Sequence, residues 1–373
     1  MKSRILILLF VMGFHIMCRA QSYPWEHPLN IAWSFDGITF SPSSVFQDSS
    51  GVPSLVQWKG DTLICAFQWF RQPIGSPSWD RVAVKFSYDA GVTWTDPEPI
   101  VLNGMPSGFQ RPFDPALNVF NGDSIRIYFS SSATMPVAGQ DSIIDTYSAV
   151  SIDGIHYDFE LNPRVNVSTA RVIDPSVIYF NNSYHYLAPV GSPSQGAYHY
   201  VSPDGVNFIA VPVIPSDSSH NWTGNYMIES SNELRFYGSG PTLWYNSTPN
   251  GGMWNGYVNT NVHGGDPSVI KTPTGSYIMI YTGGQNSTAV TDLKGLSFSI
   301  YPNPAGDVIY LTGSEFPEDR GLYFIYDDLG RLKQTGKVDR NTTSVDISNL
   351  RGGVYVITVK CPSGDFNISF VKM

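Results

Sequence analysis

The chain has 373 residues, of which 42% are hydrophobic and 14% aromatic, and its formal net charge is −9 at pH 7. A chain of this length can bury a stabilising core without disulfides. Its acidic balance excludes the basic surface that nucleic acids and anionic membranes require. The 34 glycines and 27 prolines among many aromatic residues favour an all-β fold, in which turns separate aromatic strands.

The N-terminus predicts a secretory signal peptide over residues 1–20. Lys2 and Arg4 precede a short apolar run, and small residues end the segment at Ala20. The run is too short to anchor as a membrane helix, and no later segment is apolar enough to be one. A lipid anchor on Cys18 is the alternative, although His-Ile-Met is a poor match to the residues that precede a lipoprotein cysteine. Cleavage removes three basic residues and makes the net charge −12.

The mature chain keeps two cysteines, Cys65 and Cys361. They lie in different halves of the sequence, so the prediction is two small buried apolar side chains rather than a disulfide. The hydrophobic core must then supply the stability of the exported protein.

A turn of one kind recurs between residues 31 and 283. It opens on Ser, continues through Asp or Asn to Gly, and closes on an aromatic residue. Asp bonds its own backbone, Gly accepts a positive φ, and the aromatic ring covers the turn. The five copies begin at Ser34, Ser87, Ser151, Ser202 and Ser247, with spacings of 53, 64, 51 and 45 residues.

A second motif, the start of an apolar strand, alternates with the turn. Three copies read Asp-Pro, the first reads Val-Pro and the fourth reads Asn-Tyr. Proline at a strand start needs no ladder partner and favours extended geometry in the residue before it. The five starts are Val52, Asp114, Asp174, Asn225 and Asp266.

The strict alternation of these motifs predicts a five-bladed β-propeller over residues 21–284. The spacing is that of a four-stranded blade. Because the first turn precedes the first strand start, the N-terminal strands are expected to complete the last blade, whose inner strand begins at Asp266. This arrangement leaves no free sheet edge. A β-sandwich is the alternative, but it does not explain two alternating motifs.

The segment Ser87–Trp94 reads S-x-D-x-G-x-T-W. It resembles the Asp-box turn of sialidases and related propellers. The Asp-Pro strand starts resemble those of five-bladed propeller glycosidases, the arabinanase, xylosidase and invertase-like groups. Both resemblances imply the propeller fold. They imply less about function, because Asp-boxes are structural turns that also occur in proteins without enzymatic activity.

Residues 296–373 are predicted to form a small β-sandwich, joined by a Gly/Ser/Thr-rich linker at 285–295. Three patterns stand in this part in order. They are Y-P-N-P at Tyr301–Pro304, Y-D-x-x-G-R at Tyr326–Arg331 and S-x-L-x-x-G-x-Y at Ser348–Tyr355.

These patterns, with Lys372 near the end, resemble the type A C-terminal sorting domain of the type IX secretion system in the Bacteroidetes. The resemblance implies that the secretion machinery is a partner and that the chain crosses the outer membrane. It also implies removal of the domain, after which the cargo is released or attached to the cell surface. A sugar-binding sandwich appended to an enzyme is the alternative.

The inner strands of a propeller line its axis, so their first residues should meet at one mouth of the channel. Asp114, Asp174 and Asp266 are therefore candidate catalytic residues, with Asn225 beside them as a candidate for substrate binding. Glycoside hydrolysis needs two carboxylates, one acid and one base or nucleophile. The alternative is that Asp before Pro only caps each inner strand.

The resemblance to five-bladed glycosidases implies a base Asp in the first blade, a further Asp in the third and an acid Glu in the fourth. Asp174 matches the third-blade position. Glu229 is the fourth-blade candidate, four residues beyond Asn225. The first-blade position is Val52, so the implied base is missing.

Sialidases offer a second comparison. Gly51–Leu55 resembles their R-I-P-A-L element with Gly51 in place of the arginine. The segment Ala66–Arg71 resembles their A-F-x-x-x-R element and makes Arg71 a candidate for substrate binding. Asp80 stands roughly where their acid/base Asp lies. Five blades rather than six count against a sialidase.

Arg111 and Arg171 share the frame R-x-x-D-P with the aspartates that follow them. They are candidates for binding an acidic sugar, or for structural pairing with the neighbouring carboxylates. No cofactor and no metal site are predicted, because no zinc spacing, phosphate loop or dinucleotide fingerprint is present. His263, just before Asp266, is the one candidate neighbour of an axial cation.

Two functions are consistent with the sequence. The first is an exported, glycosidase-like propeller that acts on extracellular glycans. The second is a propeller of the same fold that binds glycan or protein at the cell surface without catalysis. The aspartates and arginines favour the first, and the missing first-blade Asp favours the second.

Overall fold

The structure is a computed structural model. It describes residues 27–71, 73, 75–76, 79–134, 143–168, 170–273, 275–283, 298–313, 321–327, 331–338, 343–361 and 364–373. The predicted signal peptide (1–20) and linker (285–295) lie outside these ranges. The described residues form strands and turns, with one short 3-10 helix at Pro193–Gln195. None of the described helices is long and apolar enough to cross a membrane.

Five sheets, called blades 1 to 5, follow one another along the chain. Their strands, from the inner strand outward, are the following. Blade 1 has β3 (Ser50–Gln57), β4 (Leu63–Trp69), β5 (Arg81–Ser87) and β6 (Glu98–Pro99). Blade 2 has β8 (Phe113–Phe120), β9 (Ser124–Ser131), β10 (Asp145–Ser151), β11 (His156–Val165) and β7 (Val101–Asn103). Blade 3 has β12 (Ser176–Phe180), β13 (Ser183–Pro189), β14 (Ala197–Ser202) and β15 (Ile209–Ile214).

Blade 4 has β16 (Asn221–Ser230), β17 (Glu233–Ser239), β18 (Trp244–Thr248) and β19 (Tyr257–Asn259). Blade 5 has β20 (Gly265–Lys271), β21 (Tyr277–Thr282), β1 (Leu29–Ser34) and β2 (Ser44–Gln47). The inner strands contact one another in the cyclic order β3, β8, β12, β16, β20 and back to β3. The predicted all-β propeller is therefore confirmed.

The last blade combines both ends of the propeller, as the order of the motifs predicts. β1 pairs antiparallel with β21, from Leu29 opposite Thr282 to Ser34 opposite Tyr277. β2 pairs in turn with β1. The N-terminal strands thus cover the edge that β21 would otherwise expose.

The recurring turn is held by similar hydrogen bonds in each blade, in which a hydroxyl accepts the glycine N–H and an Asp or Asn side chain accepts N–H groups that follow the glycine. In the first copy the Gly37 N–H donates to Ser34 Oγ at 2.9 Å, and the Ile38 and Thr39 N–H groups donate to Asp36 Oδ1 at 2.8 Å. The fifth copy begins one residue later than the sequence predicts. Thr248 Oγ1, not Ser247, accepts the Gly251 N–H at 3.0 Å. Thr carries the same hydroxyl group as Ser, so a motif defined by Ser places the start of this copy at Ser247 instead of Thr248.

Each turn glycine packs against the second strand of the preceding blade. In blade 3, the Tyr128 hydroxyl donates to the Gly205 carbonyl at 2.8 Å, and Arg126 Nη1 donates to the Asp204 carbonyl at 3.3 Å. The pairs of glycine and facing residue are Gly37 with Tyr237, Gly91 with Ile278, Gly154 with Ile64, Gly205 with Tyr128, and Gly251 with His185. The turns therefore link every blade to its neighbour around the ring.

The replacement Gly205→Ala tests this link. A Cβ at Gly205 would lie 2.8 Å from the Tyr128 hydroxyl, whereas at Gly60 it would meet nothing within 4 Å. The φ angles are +72° and +69°. Both variants therefore lose about 1 kcal/mol to backbone strain, and Gly205→Ala should lose roughly 2 kcal/mol more because Tyr128 must shift. Equal melting temperatures for the two variants would contradict the link.

The C-terminal module is a sandwich of two sheets. One sheet has the order β22 (Phe298–Tyr301), β23 (Val308–Gly313), β26 (Ser344–Asp346). The other has the order β25 (Leu332–Val338), β24 (Gly321–Asp327), β27 (Gly353–Cys361), β28 (Gly364–Lys372). Ile309, Leu311 and Val345 of the first sheet pack with Ile325 and Ile357 of the second. In the propeller, Cys65 is buried and free.

Candidate active site at the propeller axis

Four of the five inner strands have a residue with positive φ within their first three residues or just before them. The angles are 48° at Val52, 50° at Asp114, 54° at Asp174 and 48° at Asp266. The expectation of extended geometry before proline is therefore wrong at these positions. The reason is local. At Val52, Asp114 and Asp266 the pairing register shifts around the residue and its proline, which forms a β-bulge. A bulge re-aims a side chain and is common beside active sites.

Polar side chains from the starts of the inner strands meet in one small space at the axis. Asp174, Asp266 and Asn225 line a cavity of about 10 Å³. The other lining residues are Val52, Pro115, Pro175 and Gly224. The Asp174 N–H donates to Asp114 Oδ2 at 3.3 Å, so Asp114 adjoins the same space. Four residues that the sequence singled out therefore lie together.

The environment of the three aspartates disfavours their charged forms. Burial raises the pKa of Asp114 to about 7, and the negative charges of Asp266 and Asp80 act in the same direction. Burial also raises the pKa of Asp174 well above its ordinary value, and Asp114 and Asp266 raise it further. The pKa of Asp266 is raised by burial, while the neighbouring Thr223 side chain opposes the shift. Burial and mutual repulsion thus favour the protonated forms of the three carboxyl groups.

Val52 separates the role of the backbone from the role of the carboxylates. It holds the same positive φ before a proline as the aspartates do, although it is β-branched. A carboxylate is therefore not required to form the bulge. Asn would also tolerate the geometry, without the repulsion between neighbouring like charges. The three acids thus introduce an electrostatic penalty that the turn itself does not need.

Glu229 does not join the aspartates. Arg235 Nη1 lies 3.2 Å from its carboxylate, Lys271 Nζ also pairs with it, and the Tyr277 hydroxyl donates to it at 2.7 Å. The side chain is 12% exposed. Four residues of extended strand separate Glu229 from Asn225 by about 13 Å. Glu229 therefore lies farther along β16, away from the aspartates. The structure gives Glu229 an ion-pair role between blades 4 and 5.

The replacement Glu229→Gln is expected to lower stability by about 3 kcal/mol, because it removes the carboxylate that Lys271 and the largely buried Arg235 share. Glu233→Gln is the matched control. Glu233 accepts from Nε of the same Arg235 at 2.9 Å, but its side chain is 37% exposed. It should lose less than about 1 kcal/mol. Denaturant unfolding of both variants measures the difference, and equal losses would contradict the assignment.

Arg111 pairs with Asp80 rather than with the aspartate that follows it in the sequence. Its Nη2 donates to Asp80 Oδ2, and Gln68 Nε2 donates to the other oxygen. Arg111 is 44% exposed, and its partner Asp80 is close enough to Asp114 to affect its pKa. The ion pair therefore borders the aspartate cluster.

The remaining sequence candidates lie on exposed surface. Arg71 is exposed, with its guanidinium 5.4 Å from the centre of the Trp69 ring, and Arg171 is exposed as well. His263 Nδ1 lies 2.9 Å from the Pro241 carbonyl oxygen. No group of three His, Cys, Asp or Glu side chains with metal-ligand spacing occurs in the described part of the chain. An axial cation near His263 stays a prediction.

Sequence reasoning missed the residues that support the aspartates. The Asp266 N–H donates to Ser239 Oγ at 2.9 Å, and Thr223 Oγ1 donates to the same hydroxyl at 2.9 Å. The Gln68 side-chain amide donates to the Asp80 carboxylate. These residues carry no repeated pattern, and the structure alone shows that they face the axis.

A wider channel adjoins this cavity. The inner strands of all five blades enclose about 380 Å³. Its lining is mostly apolar, with Gln57, Asn118 and Lys271 among the polar exceptions. The small cavity and the channel together make the axis hollow along the inner strands.

Residues 299–371 match the family model described as the secretion system C-terminal sorting domain. The C-terminal module is a sorting domain. It indicates export through the type IX secretion system, to the cell surface or beyond. No curated protein matches the chain.

Solved structures resemble the chain at low identity. The GH32 beta-fructofuranosidase BmSUC1 of Bombyx mori has a TM-score of 0.49 and 13% identity, over 94% of this chain and 89% of that chain. A thermostable family-43 glycoside hydrolase has a TM-score of 0.45 and 12% identity, over 64% and 95%. The GH43_1 enzyme from Xanthomonas citri has 0.46 and 12%, over 65% and 89%. Likeness at this level says nothing of activity.

Proposed function

We propose that this protein is exported through the type IX secretion system and hydrolyses extracellular glycans at the mouth of its propeller. The observation that supports the proposal is the group of three aspartates from three blades, whose environment raises all three pKa values. Strongly shifted carboxylates in a cleft are typical of catalytic sites. Glycoside hydrolysis needs one protonated and one ionised carboxyl group on the two sides of the scissile bond.

The environments suggest separate roles for the carboxyl groups. Asp174 has two aspartate neighbours that raise its pKa, so we assign it the general acid that protonates the leaving oxygen. Burial raises the pKa of Asp266, the neighbouring Thr223 side chain opposes the shift, and neither of the other aspartates adds to it, so we assign Asp266 the base or nucleophile. Asp114 accepts the Asp174 N–H and adds negative charge beside the acid. This division follows the rule that neighbouring environments separate the two pKa values.

Polar groups around the aspartates would bind the sugar. Asn225 Nδ2 donates to the Pro53 carbonyl at 2.9 Å, which fixes the amide with its oxygen available to a sugar hydroxyl. Arg111 is held by Asp80 and half exposed beside the cluster. Arg71 and Arg171, both exposed, would contact more distant parts of a glycan.

A non-catalytic glycan- or protein-binding propeller is the second candidate. The cavity between the aspartates is about 10 Å³, close to the volume of one water molecule. The charges of Glu229 and Arg111 are already paired. A surface that binds without turnover would have both properties.

The experiment uses the chain without its signal peptide on a panel of aryl glycosides and of plant and host polysaccharides, together with a glycan array. Release of sugar supports hydrolysis. Retention on the array without release supports the binding propeller. If the protein neither releases sugar nor is retained on the array, hydrolysis and glycan binding are both contradicted, and protein binding is the candidate that remains.

A further inference from the structure

One strand of the sorting domain is apolar on both faces. Tyr323 and Ile325 of β24 point into the core of the sandwich. Leu322 and Phe324 alternate with them on the other face, yet they are 5% and 0% exposed. A strand of an isolated sandwich carries polar residues on its outer face. The outer face of β24 is therefore covered by another part of the chain.

The propeller covers this face. Leu322 and Phe324 belong to the same apolar cluster as Trp33 and Phe46 of blade 5, and the rings of Phe324 and Trp33 are 5.7 Å apart between centroids. Tyr326 and Leu332 pack against the cluster from the same side of the sorting domain. We call Leu322, Phe324, Tyr326 and Leu332 the docking face.

The contact lies at the seam where the ring closes. The cluster that includes the docking face is the core between blade 5 and blade 1. Its further members include Leu29 and Ile31 of β1, Ile278 and Ile280 of β21, and Leu63 and Phe67 of β4. Phe46 joins the two blades directly, because its ring lies 5.0 Å from Trp94 and 6.1 Å from Phe67, both in blade 1. Lys85 of blade 1 also donates to the Phe46 carbonyl at 2.9 Å.

The seam has a specific weakness. β1 comes from the N-terminal part of the chain and pairs with β21, about 250 residues later in the sequence, and β2 is attached to the blade through β1, so no short connection holds these two strands in place. β2 is only four residues long and meets β1 over three residue pairs. Few backbone hydrogen bonds therefore resist its release, and side-chain contacts must contribute most of its stability.

We propose that the docking face of the sorting domain clamps the closing seam of the propeller and holds the N-terminal strands β1 and β2 in blade 5. The occupant of the apolar seam surface is thus a segment of the same chain. Loss of the domain would uncover Trp33 and loosen the last blade. The sorting domain has, in this account, a role in the stability of its cargo besides its role in export.

Hydrogen exchange in the full chain without its signal peptide tests the clamp. In Phe324→Ala, the amides of β1 and β2 should exchange at least about tenfold faster than in the wild type, while those of blade 3 keep their rates. Val354→Ala is the control, because Val354 lies on the same domain but is 54% exposed. Unchanged rates in β1 and β2, or equal acceleration in all blades, would overturn the proposal.

If Phe324→Ala unfolds the sorting domain itself, the amides of β27 and β28 will also exchange faster. A second measurement tests the clamp in that case. The melting temperature of the propeller is compared in Phe324→Leu, Trp33→Phe and the double variant. Residues in contact give non-additive effects. Each change should therefore lower the melting temperature less in the background of the other change than it does alone. Additive effects would overturn the clamp, and so would a wild-type chain that forms dimers through this face.

Discussion

Replacing Asp174 by Asn is expected to reduce turnover of the glycan by about 10²–10⁴-fold, the usual contribution of a general acid. The amide keeps the shape of the side chain and tolerates positive φ, but it has no proton to give to the leaving oxygen. Stability should be unchanged or higher, because the variant removes one of three neighbouring carboxyl groups whose charges repel. Initial rates and melting temperatures measured on the same preparations check both parts.

Three further variants make this result specific. Asp266→Asn should reduce turnover to a similar extent, because it removes the base or nucleophile. Asp114→Asn should act less strongly and shift the pH–rate profile, since Asp114 adjoins the acid through the Asp174 N–H. Asp61→Asn, at an exposed turn, is the matched control and should have no effect. Equal activity of Asp174→Asn and Asp61→Asn would contradict the assignment of the acid.

The second large effect concerns stability against pH. The aspartate cluster binds protons more tightly in the folded state than in the unfolded chain, where the pKa of Asp is near 3.8 and that of folded Asp114 is about 7. The stability that these protons supply is therefore present below about pH 4 and is lost as the pH rises towards 7. The free energy of unfolding should fall by a few kcal/mol across this window.

Denaturant unfolding at several pH values between 4 and 8 measures this slope. Asp174→Asn should flatten it, because one of the coupled carboxyl groups is gone. Asp204→Asn is the control. Backbone N–H donors, that of Asn207 first, lower the pKa of Asp204, so its contribution is lost only as the pH falls below the ordinary range of Asp. Equal slopes of the free energy of unfolding against pH for the wild type and Asp174→Asn would contradict a raised pKa of Asp174 in the folded protein.

The order of the blades could be predicted because each blade repeats two local signals. In the turn, a Gly follows the Asp or Asn within two residues. In the second motif, an apolar strand follows the residue that reaches the propeller axis. Repeats of that kind survive in the sequence even where one residue has changed, as at Val52. The closure of blade 5 by β1 and β2 followed from the order of the signals alone.

The candidate site could be predicted only in part. The three aspartates stand in a repeated position, so their meeting at the axis followed from the fold. Glu229 carries no such repeat, and nothing in the sequence showed that Lys271 and Arg235 would pair with it. The positive φ at Asp-Pro was also hidden, because proline by itself favours the opposite geometry and the bulge depends on the neighbouring strand.

The docking face could not be predicted at all. The strand β24 reads Gly-Leu-Tyr-Phe-Ile-Tyr-Asp, and such a run fits a strand buried on both faces of any sheet. Only the contact between Phe324 and Trp33 shows which second surface covers it. Contacts between distant segments leave no periodic signal in either partner.

Release of sugar by the wild type and by Asp174→Asn on one polysaccharide panel tests the central claim most directly. The account predicts release by the wild type, loss of release in the variant, and a melting temperature that does not fall. Release that persists in Asp174→Asn would contradict the assignment of the acid. A complete lack of release by the wild type, with glycan retention unaffected by the variant, would contradict hydrolysis at the axial aspartates.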